Sequence, residues 1–192
     1  HAYSQASFDA VTTEEDLQVN RVRDQEIAQL KIVLGRRFAE GRRPDILLRL
    51  AELYIETYRF YFFKENEIHQ QMHKQGLKPK TVEHSRSRQF LKSATNACLS
   101  ILKSRVQFKK LDQVYYFLGY NAEEMGNRRD AIRYFSVVVK NYSNSGYAPE
   151  AYRNLAENAF EDKKYAIAVG FYEKAAAYTK VPSYPRTLYK LA

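Results

Sequence analysis

His69 and His73 stand four residues apart, with Glu65 four residues before the first. On a helix this spacing puts all three side chains on one face, and two imidazoles so placed can share a zinc ion. The run is His-Gln-Gln-Met-His, however, and lacks the glutamate beside the first histidine that metal-assisted hydrolysis at this spacing uses as its base. The pair therefore reads as surface histidines, with no metal expected. Cys98 is the one cysteine, so no disulfide can form within the chain. It shares an apolar row with Ala94, Ile101 and Leu102 and reads as a buried small residue rather than a nucleophile. Glu14-Glu15 and Glu123-Glu124 have the spacing of ordinary helix-surface pairs. No nucleophile elbow and no glycine-rich phosphate loop occurs. The chain is expected not to be an enzyme and to need no cofactor.

The elements that carry these residues are read as helices throughout. Glycine and proline are scarce, 7 and 5 in 192 residues, which favours long helices over many strands. Residues 1–12 have no apolar period and read as a mobile N-terminus. Thr12 with Glu15, or alternatively Thr13, supplies a capping signal for a helix over 13–38, with Leu17, Ile27, Leu30, Val33, Leu34 and Phe38 as its stripe. Pro44 opens a long helix in which Leu47, Leu50, Ala51, Tyr54, Tyr58 and Phe62 recur at three and four, running to about Gln75 before Gly76 and Pro79. The aromatic run Tyr58 to Phe63 is read as buried between the N-terminal helix and a helix over 87–107. Four more helices are expected at 111–125, 128–141, 148–161 and 164–179, and a last one begins near Pro182 and is cut by the chain end. No run of about eighteen apolar residues exists, so no membrane span is expected. The start also lacks the charged-then-apolar pattern of a signal peptide.

Two of these segments are one pattern written twice. Tyr115, Leu118, Gly119, Ala131, Phe135 and Val138 recur 37 residues later as Tyr152, Leu155, Ala156, Ala168, Tyr172 and Ala175. Gly126 marks the turn in the first copy, with Asp162 read as its replacement in the second. A period of this length describes stacked helix pairs, none of which buries its apolar face alone. The pattern resembles tetratricopeptide repeats. Small residues occupy Gly119, Ala156, Ala131 and Ala168, and aromatics occupy Phe135 and Tyr172. Leu47, Leu50, Ala51 and Tyr54, with Ala94, Cys98 and Ile101, resemble an earlier copy. Leu188, Leu191 and Ala192 resemble the start of a later one.

The resemblance implies an all-α, right-handed superhelix of antiparallel helix pairs. The first repeat covers 44–107 with a helical insertion at about 63–88, the second 111–141 and the third 148–179; a truncated fourth starts at 183–192. Tryptophan is absent, and Ser143-Asn144-Ser145 stands where the family often has a turn-closing proline. The longer period resembles that of bacterial cell-envelope members, which implies a periplasmic or envelope location, with the cytoplasm as the alternative.

Family members hold protein partners in the concave side lined by the first helix of each pair. Carried onto this register, the lining is Tyr116, Tyr120 and Glu123, then Arg153, Glu157 and Phe160, with Tyr189 beyond and Leu48, Glu52 and Ile55 before. Aromatic anchors and carboxylates of this kind suit a peptide with apolar and basic residues. The rival expectation is that the aromatics pack inside the repeat stack. The formal net charge of +9 leaves a second expectation, a basic adaptor for an anionic polymer such as nucleic acid or an acidic envelope glycan. No nucleic-acid-reading motif accompanies the charge, and peripheral membrane contact is a further option near Lys78, Lys80 and Arg86.

Overall fold

The computed structural model describes residues 3–36, 41–77, 82, 84–104 and 106–178. Among the described residues the chain is all-helical, with eight α-helices and no strand. It divides into two compact units, His1–Val106 and Gln107–Ala192.

The first unit holds α1 (Gln5–Asp9), α2 (Glu14–Leu34), α3 (Arg43–Lys74) and α4 (Ser85–Lys103). The stretch read as an aperiodic N-terminus carries α1, and Phe8 and Val11 are buried against Tyr61 and Ile68 of α3. Two apolar residues are too few to show a period, yet enough to dock one turn. Thr12 donates its hydroxyl to the Phe8 carbonyl at 2.5 Å, which closes α1 and leaves Thr13 as the cap of α2. The capping box is thus Thr13 with Asp16, one residue on from the Thr12–Glu15 pair. Ile27 of α2 packs on Leu50 and Leu53 of α3, with Leu30 and Leu34 at the edge. Leu17, expected in that stripe, is exposed, and Phe38 lies outside the described residues.

α3 runs unbroken for 32 residues. It starts at Pro44 in its first turn and ends at Gly76, whose φ of 79° lets the Leu77 N–H reach back to the Met72 carbonyl at 3.0 Å. The first part of the stretch read as an insertion is therefore the last three turns of α3. α3 packs against α1, α2 and α4, so it is buried on more than one side. Tyr58 and Tyr61 are buried as expected, and Tyr61 stacks on Phe90 of α4 with centroids 5.3 Å apart. Phe63 points to solvent. Leu91, Ala94, Cys98 and Ile101 form the buried face of α4.

The second unit holds α5 (Leu111–Glu124), α6 (Arg128–Asn141), α7 (Ala148–Glu161) and α8 (Tyr165–Ala177), each packed on the next. The 37-residue register is visible atom by atom in the turns. Gly126 has φ 74°, and the Asn127 N–H closes on the Ala122 carbonyl at 2.8 Å. In the second copy the left-handed residue is Lys163, φ 60°, with the Lys164 N–H on the Ala159 carbonyl at 2.9 Å. Lys163, not Asp162, is thus the counterpart of Gly126, and Asp162 is the preceding C-cap. Ala131, Phe135 and Val138 are buried between helices, as are Leu118, Gly119, Leu155, Ala156 and Ala168. Their rows form the apolar interior of this unit.

Candidate functional site

Three of the expected lining residues lie on α5. Tyr116 is buried, its ring stacked on Tyr147 at 4.9 Å and tilted against Phe135 at 5.9 Å. The covering ring comes from the link between α6 and α7, where Tyr147 is positioned by its N–H donating to the Ser145 hydroxyl at 3.1 Å. That hydroxyl in turn donates to Asp112 at 2.6 Å. Tyr116 is therefore packed within the unit, and its face is not offered to a ligand. Tyr120, one turn on, is half-buried.

Glu123 is half-buried and faces α7. The Asn158 side-chain amide donates to both carboxylate oxygens, at 3.4 and 3.3 Å. Burial holds its carboxyl above the ordinary glutamate value of 4.5; the Asn158 hydrogen bond and Arg128 work against this, and the nearby charges of Glu161 and Glu157 add to it. Asn158 itself is almost wholly buried and fully used. Its amide also donates to the Asn154 carbonyl at 2.9 Å, and its oxygen accepts from Arg128 Nε at 2.7 Å. The Arg128 guanidinium also donates to the Asn158 carbonyl and pairs with Asp162 at 2.9 Å. A polar clasp thus joins the end of α5, the start of α6 and the end of α7.

Arg153, Glu157 and Phe160 form an exposed row along α7. Arg153 bridges Glu150 at 2.7 Å and Glu157 at 2.6 Å, so its charge is compensated within the helix. With Glu161 and Asp162 the outward side of α7 is acidic on balance. Phe160 is 57% exposed, with its ring edge-on to Tyr165 at 5.3 Å. The structure therefore places Tyr120, Arg153, Glu157 and Phe160 within reach of solvent and commits Tyr116 and Glu123 to internal contacts. Tyr189 lies outside the described residues.

In the first unit, Leu48 and Ile55 are core residues rather than lining, because α3 is covered on several sides. Glu52 is held by Arg49 at 3.1 Å, and Arg49 also binds Glu26 of α2 through two bonds of 2.7 and 3.0 Å. Glu65 is turned away from the two histidines. It is buried, and it accepts the Arg86 and Ser87 N–H groups at 3.0 and 3.2 Å, the Ser87 hydroxyl at 2.5 Å and His84 Nδ1 at 3.2 Å. It caps α4 from the neighbouring helix. His69 and His73 face each other, Nε2 to Nε2, at 3.1 Å. Among the described residues no group of three or more His, Cys, Asp or Glu is placed to hold a metal ion. Burial pushes the Cys98 thiol up to about 12, so at neutral pH it is an inert core group.

Two features escaped the sequence reading. Asn121 and Asn158 are 37 residues apart and both buried, a repeated polar position that spacing alone could have flagged. Asn158 is saturated, whereas neither polar atom of the Asn121 side chain has a hydrogen-bond partner among the described residues. The second is Glu65, which in the sequence looks like any helix-surface acid. No family model, curated protein or solved structure matches the chain.

Proposed function

We propose that the chain is a non-enzymatic, tetratricopeptide-type scaffold that holds a segment of a partner protein against α7 of its second unit. The observation that carries this reading is the recurrence, at one 37-residue register, of small buried residues (Gly119/Ala156, Ala131/Ala168), buried asparagines (Asn121/Asn158) and left-handed turn residues (Gly126/Lys163). Recurrence of this kind supports stacked helix pairs whose first helices share a side. On that side Tyr120 and Phe160 supply apolar anchors, and Glu157 supplies charge. The acidic balance of α7 favours a partner segment with basic and apolar residues. The resemblance of the longer period is the ground for placing this assembly in a bacterial envelope.

The test is selection of peptides from a random displayed library on the immobilised protein. The expected binders combine Lys or Arg with apolar residues. Tyr120→Ala and Glu157→Ala should each weaken them about fivefold or more, with the unfolding midpoint unchanged. Selected peptides that ignore both substitutions would remove this site from consideration.

A further inference from the structure

The charge of this chain is unevenly placed. Residues 68–111 hold ten of the 31 Lys and Arg residues and one of the 22 acidic residues, Glu83. The whole formal net charge of +9 therefore resides in that stretch, and the rest of the chain balances. Its centre is α4, which contains no acidic residue at all.

Within the first unit, α4 buries Leu91, Ala94, Cys98 and Ile101 and turns Arg88, Lys92, Asn96, Ser100 and Lys103 outward. These five recur at i, i+4, i+8, i+12 and i+15, one side of the helix. From Arg88 to Lys103 the row is about 22 Å long. Lys74, in the last turn of α3, is exposed as well. Among the described residues none of Lys74, Arg88, Lys92 or Lys103 is within ion-pair distance of a carboxylate. Three other cations of the same unit are matched: Arg23 with Glu56 at 3.3 Å, Arg49 with Glu26 at 2.7 Å and Lys64 with Asp16 at 2.7 Å. Arg86 is also occupied, over the Tyr61 ring at 4.1 Å and bonded to its hydroxyl at 2.8 Å. Among the described residues the outward side of α4 thus carries three cations, Arg88, Lys92 and Lys103, with no carboxylate partner.

We infer that the outward side of α4, with Lys74 and Leu77 at the end of α3, is a docking surface for a membrane leaflet rich in anionic lipid headgroups. This is a separate site from the α7 face and stands or falls independently of it. Three features select the lipid surface. The cations lie along one straight helix side, which meets a planar array of phosphates over its full length. Asn96, between them, is a short donor for phosphate oxygens, whereas the Ser100 hydroxyl donates to the Asn96 carbonyl at 2.8 Å, and the row contains no exposed aromatic ring on which a nucleobase could stack. Leu77, 52% exposed at the turn beside Lys74, adds an apolar group; that is of use at a lipid interface and of none on a phosphodiester duplex. Among the described residues no helix is long and apolar enough to cross a membrane, so the contact is peripheral.

The probe is a set of vesicles of phosphatidylcholine, with or without about one third phosphatidylglycerol, in a flotation assay at low and high salt. The full chain should float with the anionic vesicles at low salt, and neither with neutral vesicles nor at high salt. Arg88→Gln, Lys92→Gln and Lys103→Gln together should reduce partitioning about a hundredfold, at about fivefold for each cation removed. Arg129→Gln, Lys140→Gln and Lys163→Gln on the second unit make the same change in net charge and should cost less than a tenth of that. Circular dichroism of both triple variants should match the parent, since every position is exposed. Failure to float with anionic vesicles, equal loss in the two triple variants, or tighter binding to short duplex DNA that the α4 variant abolishes would each overturn the assignment.

Discussion

The ring of Phe135 lies against the backbone of Gly119: a β-carbon on that glycine would stand 2.6 Å from Cε1 and 2.7 Å from Cδ1. Phe135 is 1% exposed, so the ring has nowhere to go. Gly119→Ala gains about 1 kcal/mol of helix propensity and meets about 1–3 kcal/mol of overpacking. The expected result is a loss of up to about 2 kcal/mol in urea unfolding; a higher midpoint would mean that α6 yields easily. The second copy already has Ala156, where the equivalent ring, Tyr172, is 40% exposed and can stand aside.

Lys163 holds a left-handed backbone at φ 60°, where the first copy has Gly126. A side chain in that conformation costs about 1 kcal/mol, and this one is exposed and contributes no packing. Lys163→Gly should therefore raise the stability of the second unit by up to about 1 kcal/mol. Gly126→Ala should lower it by a similar amount. Thermal melts of both variants check the pair, and a destabilised Lys163→Gly protein would contradict the turn geometry.

Glu65→Ala should be among the most damaging single changes in the first unit. It leaves two N–H donors at the start of α4, the Ser87 hydroxyl and His84 without their acceptor in a buried setting. A loss of about 3 kcal/mol or more is expected by chemical denaturation. Hydrogen exchange should localise the change to the first turn of α4. Uniform loosening of the unit instead would assign Glu65 a packing role only.

Glu123 gives a signed pH effect. Its carboxyl is raised above 4.5, chiefly by burial, so the folded chain holds that proton more tightly than the unfolded one. Its contribution is favourable at low pH and is lost as pH rises through the raised value. Glu123→Gln keeps an acceptor for Asn158 and removes the charge. It should raise the melting temperature at pH 7, and the difference should vanish below the ordinary glutamate range. A melting temperature unchanged at both pH values would mean that Arg128 offsets the burial fully.

The helices other than α1 were legible in the sequence because their ends are written in local chemistry: Pro44, Gly76, Gly126 and the Thr12–Thr13 pair each leave a mark within one turn. The site was legible only in part. Periodicity says which side of a helix is apolar, but not which neighbour covers it. Tyr116 is closed off by Tyr147, a residue of a link with no period of its own. Leu48 and Ile55 are lost to the core because α3 is packed on more than one side, which a single stripe does not reveal. Glu123, expected on the groove wall, and Glu65, expected on the histidine face, are drawn inward instead, since a carboxylate's burial depends on donors that lie 35 and 22 residues away.

The grip of Arg128 on Asn158 and Asp162 has a kinetic side. One guanidinium at the start of α6 fastens the far end of α7, so α7 cannot peel away without first giving up contacts at α6. Helix arrays melt as a chain of neighbour couplings, and the order of loss follows the weakest joint. Among the described helices of this unit α8 is the less covered, Tyr172 standing 40% exposed where Phe135 is 1%, so fraying should begin there and halt at the Arg128 fastening. That single arginine thus sets how many helices of this unit are lost together.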